Sequence, residues 1–333
     1  MSTAKTPTAR ADLAKSAAAR LSEAWNTPVV VSELDRLSGG ASMETWTAKI
    51  DGDCPATRAI IRRDRPGTPL SSRHDEAALL RIVYAAGVPV PRVLAQSAPD
   101  ETPAYLIMEF LDGETIPRKL LRDAEFRHAR EVVVEQIGRT LAAIHTVAAE
   151  SVAFLGPARN SAEAVAELDT WLARLDIGSP VLELAVRWLA ANTPPAGPTC
   201  LVHGDVRTGN LLVAPDGLVA VLDWELAHVG TPAEDLGWFC TRAWQFGANA
   251  KPAGGFGTRE ELLAAYTAAG GTPITRQDLH FWEVFGTFMW ALTCVTQSRL
   301  HLSGQVRSVE LAAIGRRLAE AEYDLVVLLQ EGP

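Results

Sequence analysis

The sequence predicts an α+β fold, with an antiparallel, strand-rich first lobe followed by a helix-rich second lobe. Two observations carry that prediction. Between Val29 and Arg62, three short strand patterns follow one another with only turns between them, and connections that short join antiparallel neighbours. After Leu111 the apolar spacing turns helical and stays so for most of the chain. At 333 residues, 47% of them hydrophobic, the chain is long enough for two lobes and apolar enough for a core in each. We place the lobes at 1–108 and 113–333, with 109–112 as the hinge.

The elements follow in order. MSTAKTPTAR is basic and rich in Ser, Thr and Ala, and has no apolar core of a secretory signal. Leu13, Ala17, Leu21 and Trp25 then recur at helical spacing, predicting a helix near 9–25. VVVSELDRL from Val29 is β-branched, SGGAS is a turn, and METWTAKI alternates up to the turn at Asp51 and Gly52. RAIIR, Arg58 to Arg62, is a third strand. Ser72 to Ala86 reads as a helix ended by Gly87, with VPVPRVL and AYLIMEFL as further strands. Val133, Ile137, Leu141 and Ile144 mark a helix within 127–148, and Ala162 to Leu175 another, before TPPAGP. Phe281 to Val295 is the most apolar stretch; it is too short to span a bilayer, contains Glu283, and suits a buried core helix.

Charge narrows the function classes. Residues 1–149 carry 19 basic and 19 acidic side chains, net 0, and residues 150–333 carry 12 and 21, net 12 − 21 = −9. A chain of net charge −9 lacks the basic stripe that neutralises phosphates, so no nucleic-acid partner is expected. The acidic second half suits either a soluble surface or a neutral or cationic ligand. Cys54, Cys200, Cys240 and Cys294 form no CxxC pair and no cluster with histidines. Neither a zinc site nor a disulfide framework is suggested, and a cytoplasmic protein with reduced thiols and no membrane association is expected.

Chemistry concentrates in LVHGDVRTGNLLVAPDGLVAVLDWELAHVG, residues 201–230. Asp205 and Asn210 are five positions apart, and LLVA, PDG and LVAVLD read as a hairpin that returns Asp223 beside them. Two carboxylates and a carboxamide are hard oxygen donors of the kind Mg²⁺ prefers. The spacing fits a phosphoryl-transfer template: a loop Asp that takes the acceptor proton, an Asn five residues on, and a metal-holding Asp after a hairpin.

The segment resembles the aminoglycoside phosphotransferase and choline kinase-like families, relatives of the protein kinases, whose motif reads HGDxxxxN followed by D-[FW]-[ED]. DWELAHVGTPAEDLGW further resembles the branch that includes the phosphotransferase-like domains of acyl-CoA dehydrogenase family members 10 and 11. The resemblance runs over nearly the whole chain. It implies a protein kinase-like two-lobe fold, with ATP or another nucleoside triphosphate and Mg²⁺ as cofactors. Asp205 would be the catalytic base and Asn210 and Asp223 the metal ligands. His203 would shape the loop, Asp235 would brace it, and Glu225 would be a third acidic group.

In the first lobe, Ser38, Gly39, Gly40, Ala41 and Ser42 take the place of a phosphate-covering loop, although a Gly-Gly turn between strands also serves as a plain hairpin. Arg62 stands where the family usually has a phosphate-touching Lys, with Glu76 as its helix partner; a surface salt bridge is the other reading. Met108 would wall the adenine, and Glu109, Phe110 and Leu111 would supply main-chain groups, unless the same letters are only a buried strand and turn. His145 reads as a core residue, and His228 stays unassigned. The resemblance implies transfer to a hydroxyl of a small molecule, among which antibiotics, sugars and hydroxyacyl compounds are options. A non-catalytic nucleotide-binding protein and a metal-dependent hydrolase are the alternatives.

Overall fold

The computed structural model describes residues 7–37, 43–65 and 72–332, so the turn Ser38 to Ser42 lies outside the described residues. The chain divides into two compact units, Met1–Asp112 and Gly113–Pro333. The first is built on an antiparallel sheet and the second is dominated by helices, an α+β arrangement.

The first unit opens with helix α1 (Pro7–Trp25), followed by strands β1 (Val30–Arg36), β2 (Met43–Asp51) and β3 (Arg58–Asp64). Helix α2 (Arg73–Ala85) precedes β4 (Val93–Gln96) and β5 (Tyr105–Glu109). The five strands pair antiparallel in the order β1-β2-β3-β5-β4. Leu13, Ala17 and Leu21 of α1 share one buried cluster with Leu34, Ile50, Ile61 and Ile107 of the sheet, so the helical stripe read from sequence faces the alternating strand residues.

Three boundaries differ from the sequence expectation. VPVPRVL yields only Val93 and Leu94 to a strand, because Pro89 and Pro91 have no N–H to donate to a ladder. AYLIMEFL stops pairing at Glu109, so Phe110 and Leu111 lie beyond the strand. RAIIR runs on through Arg63 and Asp64, which pair with Glu44 and Met43.

The second unit begins with α3 (Pro117–Arg122), α4 (Ala129–His145), α5 (Ser161–Leu175) and α6 (Pro180–Ala191). Short strands β6 (Cys200–Val202), β7 (Leu211–Ala214), β8 (Gly217–Val221) and β9 (His228–Gly230) then form two antiparallel pairs, β6 with β9 and β7 with β8. Helices α7 (Pro232–Cys240), α8 (Arg259–Ala268), α9 (Arg276–Leu302), α10 (Val309–Gly315) and α11 (Leu318–Glu331) complete the unit.

The apolar run at Phe281 to Val295 is the middle of α9. Phe281, Phe285 and Phe288 share a buried cluster with Leu168 and Leu172 of α5 and Leu182 and Leu189 of α6. Glu283, within that run, is buried and pairs both oxygens with Arg259 of α8, at 2.5 and 2.7 Å. Helix α7 lies hard against α9: a Cβ on Gly237 would come within 2.4 Å of the Trp282 Cβ. Among the described residues no helix is long and apolar enough to cross a membrane.

Candidate active site

The loop after β6 carries His203 and Asp205, and the hairpin β7–β8 returns the chain to it. The Leu222 N–H donates to the Asn210 carbonyl at 2.8 Å, and the Leu222 carbonyl lies 3.1 Å from His203 Nε2. His203 Nδ1 accepts the Asp205 N–H at 3.1 Å, so Nε2 carries the hydrogen and donates to Leu222. Burial pushes the His203 pKa down, which keeps the ring neutral and the tautomer fixed. One neutral imidazole thus ties the start of the loop to the end of the hairpin.

Asp235 holds the same loop from the first turn of α7. Its Oδ2 accepts the His203 N–H and its Oδ1 the Gly204 N–H, each at 2.9 Å. Oδ2 also meets His145 Nε2 at 3.1 Å, and His145 Nδ1 meets the Tyr266 hydroxyl at 2.9 Å. Burial alone would push the Asp235 carboxyl up; His145 and the loop N–H groups outweigh it and hold it below the usual range. Gly204 has φ +79°, and a Cβ there would sit 2.4 Å from the Leu226 carbonyl oxygen, so only glycine fits.

Asp205 and Asn210 meet directly. Asn210 Nδ2 donates to the Asp205 carbonyl at 2.9 Å and to its Oδ2 at 2.7 Å. Trp238 Nε1 donates to Oδ1 at 2.9 Å, and Arg207 Nε faces both oxygens at 3.2 and 3.1 Å. Burial raises the Asp205 pKa, Arg207 opposes it, and the nearby Asp223 charge adds to it. Asp223 follows Leu222 directly and holds a left-handed φ of +69°; Glu225 lies two residues on and is half-buried.

Among the described residues, no group of three or more His, Cys, Asp or Glu side chains gathers to hold a metal. The donor set here is of another kind. With Nδ2 turned to Asp205, the Asn210 amide leaves its oxygen for a cation, and together with the Asp carboxylates this gives hard oxygen donors that fit Mg²⁺.

In the first unit, Arg62 Nη1 pairs with Glu76 Oε1 at 2.5 Å, and the two side chains are only 13% and 1% exposed. The surface salt bridge is therefore excluded as the setting of this pair. Glu76 Oε2 meets Arg73 Nη1, and Arg73 Nε reaches Asp64 Oδ1 at 2.9 Å. Met108 is buried in β5, opposite Ile60 and Val93. The Glu109 N–H donates to the Arg92 carbonyl at 2.9 Å, and the Glu109 carboxylate holds the Arg92 N–H and Nε. The main-chain donor expected of Glu109 is thus engaged within the sheet, and the expectation narrows to its carbonyl and to Phe110 and Leu111. The Phe110 ring lies 3.4 Å from the Arg58 guanidinium carbon.

Four residues of these networks escaped the sequence reading. Trp238 lies three residues after Asp235, the spacing that puts both on one helix face, and that was a usable signal. Arg207 sits two residues after Asp205 in the motif itself. His145 looked like a core residue and is the third partner of Asp235, a contact across 90 residues. Arg73 carried no signal. His228 lies 3.1 Å from Arg159 Nη2 and 3.3 Å from Glu234 Oε1, and its Nδ1 meets the Leu226 carbonyl at 2.9 Å beside Gly204.

The model of the phosphotransferase enzyme family matches residues 33–272. Acyl-CoA dehydrogenase family member 10 of Mus musculus is 31% identical over 221 residues, covering 62% of this chain and 20% of its own length. Acyl-CoA dehydrogenase family member 11 of Gallus gallus is 27% identical over 330 residues, covering 90% and 41%. The chain therefore spans well under half the length of these curated relatives.

Among solved structures, a Ralstonia eutropha chain provisionally assigned as an aminoglycoside phosphotransferase has a TM-score of 0.72 at 23% identity, covering 90% of this chain and 93% of that one. A thermostable aminoglycoside phosphotransferase variant, solved in ternary complex with ADP and hygromycin B, has a TM-score of 0.61 at 16% identity, covering 94% and 97%. Both share the protein kinase-like fold.

Proposed function

The chain belongs to the phosphotransferase enzyme family, and from that premise we propose that it moves the γ-phosphate of ATP, or of another nucleoside triphosphate, to a hydroxyl of a small molecule with Mg²⁺ as cofactor. The observation that carries the reading is the Asp205 carboxylate held at Oδ1 by Trp238 and at Oδ2 by the Asn210 amide, on a loop that Asp235 pins at two backbone N–H groups. That degree of restraint on one carboxylate suits a base that must meet a hydroxyl at hydrogen-bond distance.

In this reading the acceptor oxygen forms its bond to the γ-phosphorus as the bond from that phosphorus to the β–γ bridging oxygen breaks. The hydroxyl proton passes to Asp205, and the nucleoside diphosphate leaves. Asn210 and Asp223 would hold Mg²⁺, which when bound supplies charge neutralisation at the phosphate oxygens. Glu225 is a further acidic group of the same segment. His203 and Asp235 keep the loop in shape and touch no reactant. In the first unit, Arg62, oriented by Glu76, would contact nucleotide phosphates, together with the Ser38 to Ser42 turn. Met108, the Glu109 carbonyl, Phe110 and Leu111 would receive the base. The rate advantage comes from positioning and charge stabilisation.

The acceptor is a small molecule of one of several classes: an aminoglycoside or other antibiotic, a sugar-like compound, or a hydroxyacyl compound. That a structural neighbour binds ADP together with hygromycin B supports a nucleotide and a small hydroxyl acceptor. Free thiols at all four cysteines support work in the reducing cytoplasm. The test is a screen with γ-labelled ATP, Mg²⁺ and a panel of hydroxyl compounds from each class. Label moving into one class is the expected result. Absence of transfer and of phosphate release, together with no thermal shift on adding Mg·ATP, contradicts the proposal.

A further inference from the structure

Three N–H donors already meet the Asp205 carboxylate where an acceptor would approach. A carboxylate offers about four acceptor positions, two per oxygen. Trp238 Nε1 takes one on Oδ1 and Asn210 Nδ2 takes one on Oδ2. The remaining positions on both oxygens are faced by a single N–H, Arg207 Nε, at 3.2 and 3.1 Å. A hydroxyl that gives its proton to Asp205 must come within about 2.6–3.2 Å of one of those oxygens, which is where Arg207 already stands.

The three donors are not equivalent. Asn210 is buried and is bonded to the Asp205 carbonyl as well, and Trp238 rides on α7 against the core. The Arg207 side chain is 29% exposed and reaches Asp205 from two residues along the same loop. Its guanidinium lies 5.2 Å over the Trp244 ring. Gly209 leaves space for it, since a Cβ there would fall 2.6 Å from Arg207 Nη1. A partly exposed cation on a long side chain thus faces the side of the carboxylate that the buried donors leave.

We propose that Arg207 is a displaceable gate on Asp205: the acceptor hydroxyl takes its place, and the guanidinium, still tethered within a few ångströms, selects against cationic acceptors. The inference rests on the reading of Asp205 as the base. Displacement moves the Arg207 charge along the aromatic wall without removing it. That wall runs from Trp238 to Trp244 at 5.1 Å and to Trp290 at 4.8 Å, where a second guanidinium, Arg317, lies 5.1 Å over the ring. A polycation at Asp205 would face two guanidiniums along this wall, Arg207 over Trp244 and Arg317 over Trp290, so the gate favours neutral or anionic hydroxyl compounds within the proposed classes.

The test uses water as the acceptor. With Mg·ATP and no added alcohol, a water oxygen bonds to the γ-phosphorus, the bond to the β–γ bridging oxygen breaks, and the proton goes to Asp205. Replacing the gate by a neutral side chain of similar length, Arg207→Met, opens Asp205 to water and should raise phosphate release about tenfold. Adding Asp205→Asn to that variant should abolish the gain.

With glycerol and ethanolamine as neutral and cationic probes, the wild type should prefer glycerol in kcat/KM, and Arg207→Met should lose that preference. A second readout separates a gate from a structural brace. The Trp238 indole resonance in ¹⁵N-tryptophan-labelled protein, assigned with Trp238→Phe, should stay in place in Arg207→Met and move in Asp205→Asn. A shift of equal size in both variants makes Arg207 a brace and overturns the proposal. Equal, measurable release from the wild type and Arg207→Met also overturns the gate while leaving phosphotransfer standing. No release from either protein overturns the gate, since the predicted gain is missing, and phosphotransfer itself is then decided by the acceptor screen and the Mg·ATP thermal shift.

Discussion

Asp235 is the most informative residue to perturb for stability, because its cost can be worked from its bonds. Its fully buried carboxylate accepts from the His203 and Gly204 N–H groups, each at 2.9 Å, and from His145 Nε2 at 3.1 Å. Asp235→Ala strands two buried backbone donors and one ring donor, and each stranded group costs about 1–3 kcal/mol, so a loss of about 4 kcal/mol is expected. Asp235→Asn keeps one acceptor oxygen but turns an NH₂ on at least one former donor, and should cost about 2 kcal/mol.

Urea unfolding followed by tryptophan fluorescence reads the effect where it occurs, since of the nine tryptophans all but Trp25 and Trp46 lie in the second unit. The pH dependence has a definite sign. The folded Asp235 carboxyl titrates below its ordinary value of 3.8. Its contribution is therefore present above that value and is lost as pH falls through the lower folded value. The gap between wild type and Asp235→Asn should be constant near neutrality and shrink below pH 3.8. Losses under about 1 kcal/mol for both variants, or a gap that widens in acid, would refute this account of the loop.

Two further substitutions probe the scaffold. Gly204→Ala forces a Cβ to 2.4 Å from the Leu226 oxygen at a φ of +79°. It should lower the thermal midpoint and the transfer rate together, since the loop that moves carries Asp205; a variant with wild-type values for both would contradict the fit. Arg259→Met leaves Glu283 as a buried, unpaired carboxylate and should cost about 3–5 kcal/mol near neutral pH. Burial already pushes the Glu283 carboxyl up, so the deficit should shrink as pH falls towards the carboxylate range, and a deficit independent of pH would contradict the pairing.

Local pattern was enough to read some of this structure. The stripe Leu13, Ala17 and Leu21 gave α1, the turn-separated strands gave the antiparallel sheet, and PDG gave the β7–β8 hairpin that brings Leu222 onto Asn210 and His203. The spacing of Asp205 and Asn210 places them in direct contact. What was missed depends on partners far apart in the chain. His145 joins Asp235 across 90 residues and Trp238 joins Asp205 across 33, and no periodicity encodes which buried side chain meets which. Arg62 and Glu76 were legible as a pair, but the second guanidinium on Glu76, from Arg73, was not. The extended stretch at Val88 to Arg92 shows the converse: its apolar residues suit a strand, and two prolines remove the donors a strand needs.

The central claim is that Asp205 takes a proton from a hydroxyl during phosphoryl transfer. The direct measurement compares Asp205→Asn with the wild type in single-turnover transfer from γ-labelled ATP with Mg²⁺, alongside nucleotide affinity and the thermal midpoint. Asn fills the same space and keeps an oxygen for Trp238 but cannot accept a proton. The account predicts transfer reduced by about a hundredfold or more, with nucleotide affinity within about threefold of wild type because no contact in the first unit changes. Transfer at the wild-type rate in the Asp205→Asn protein would contradict it.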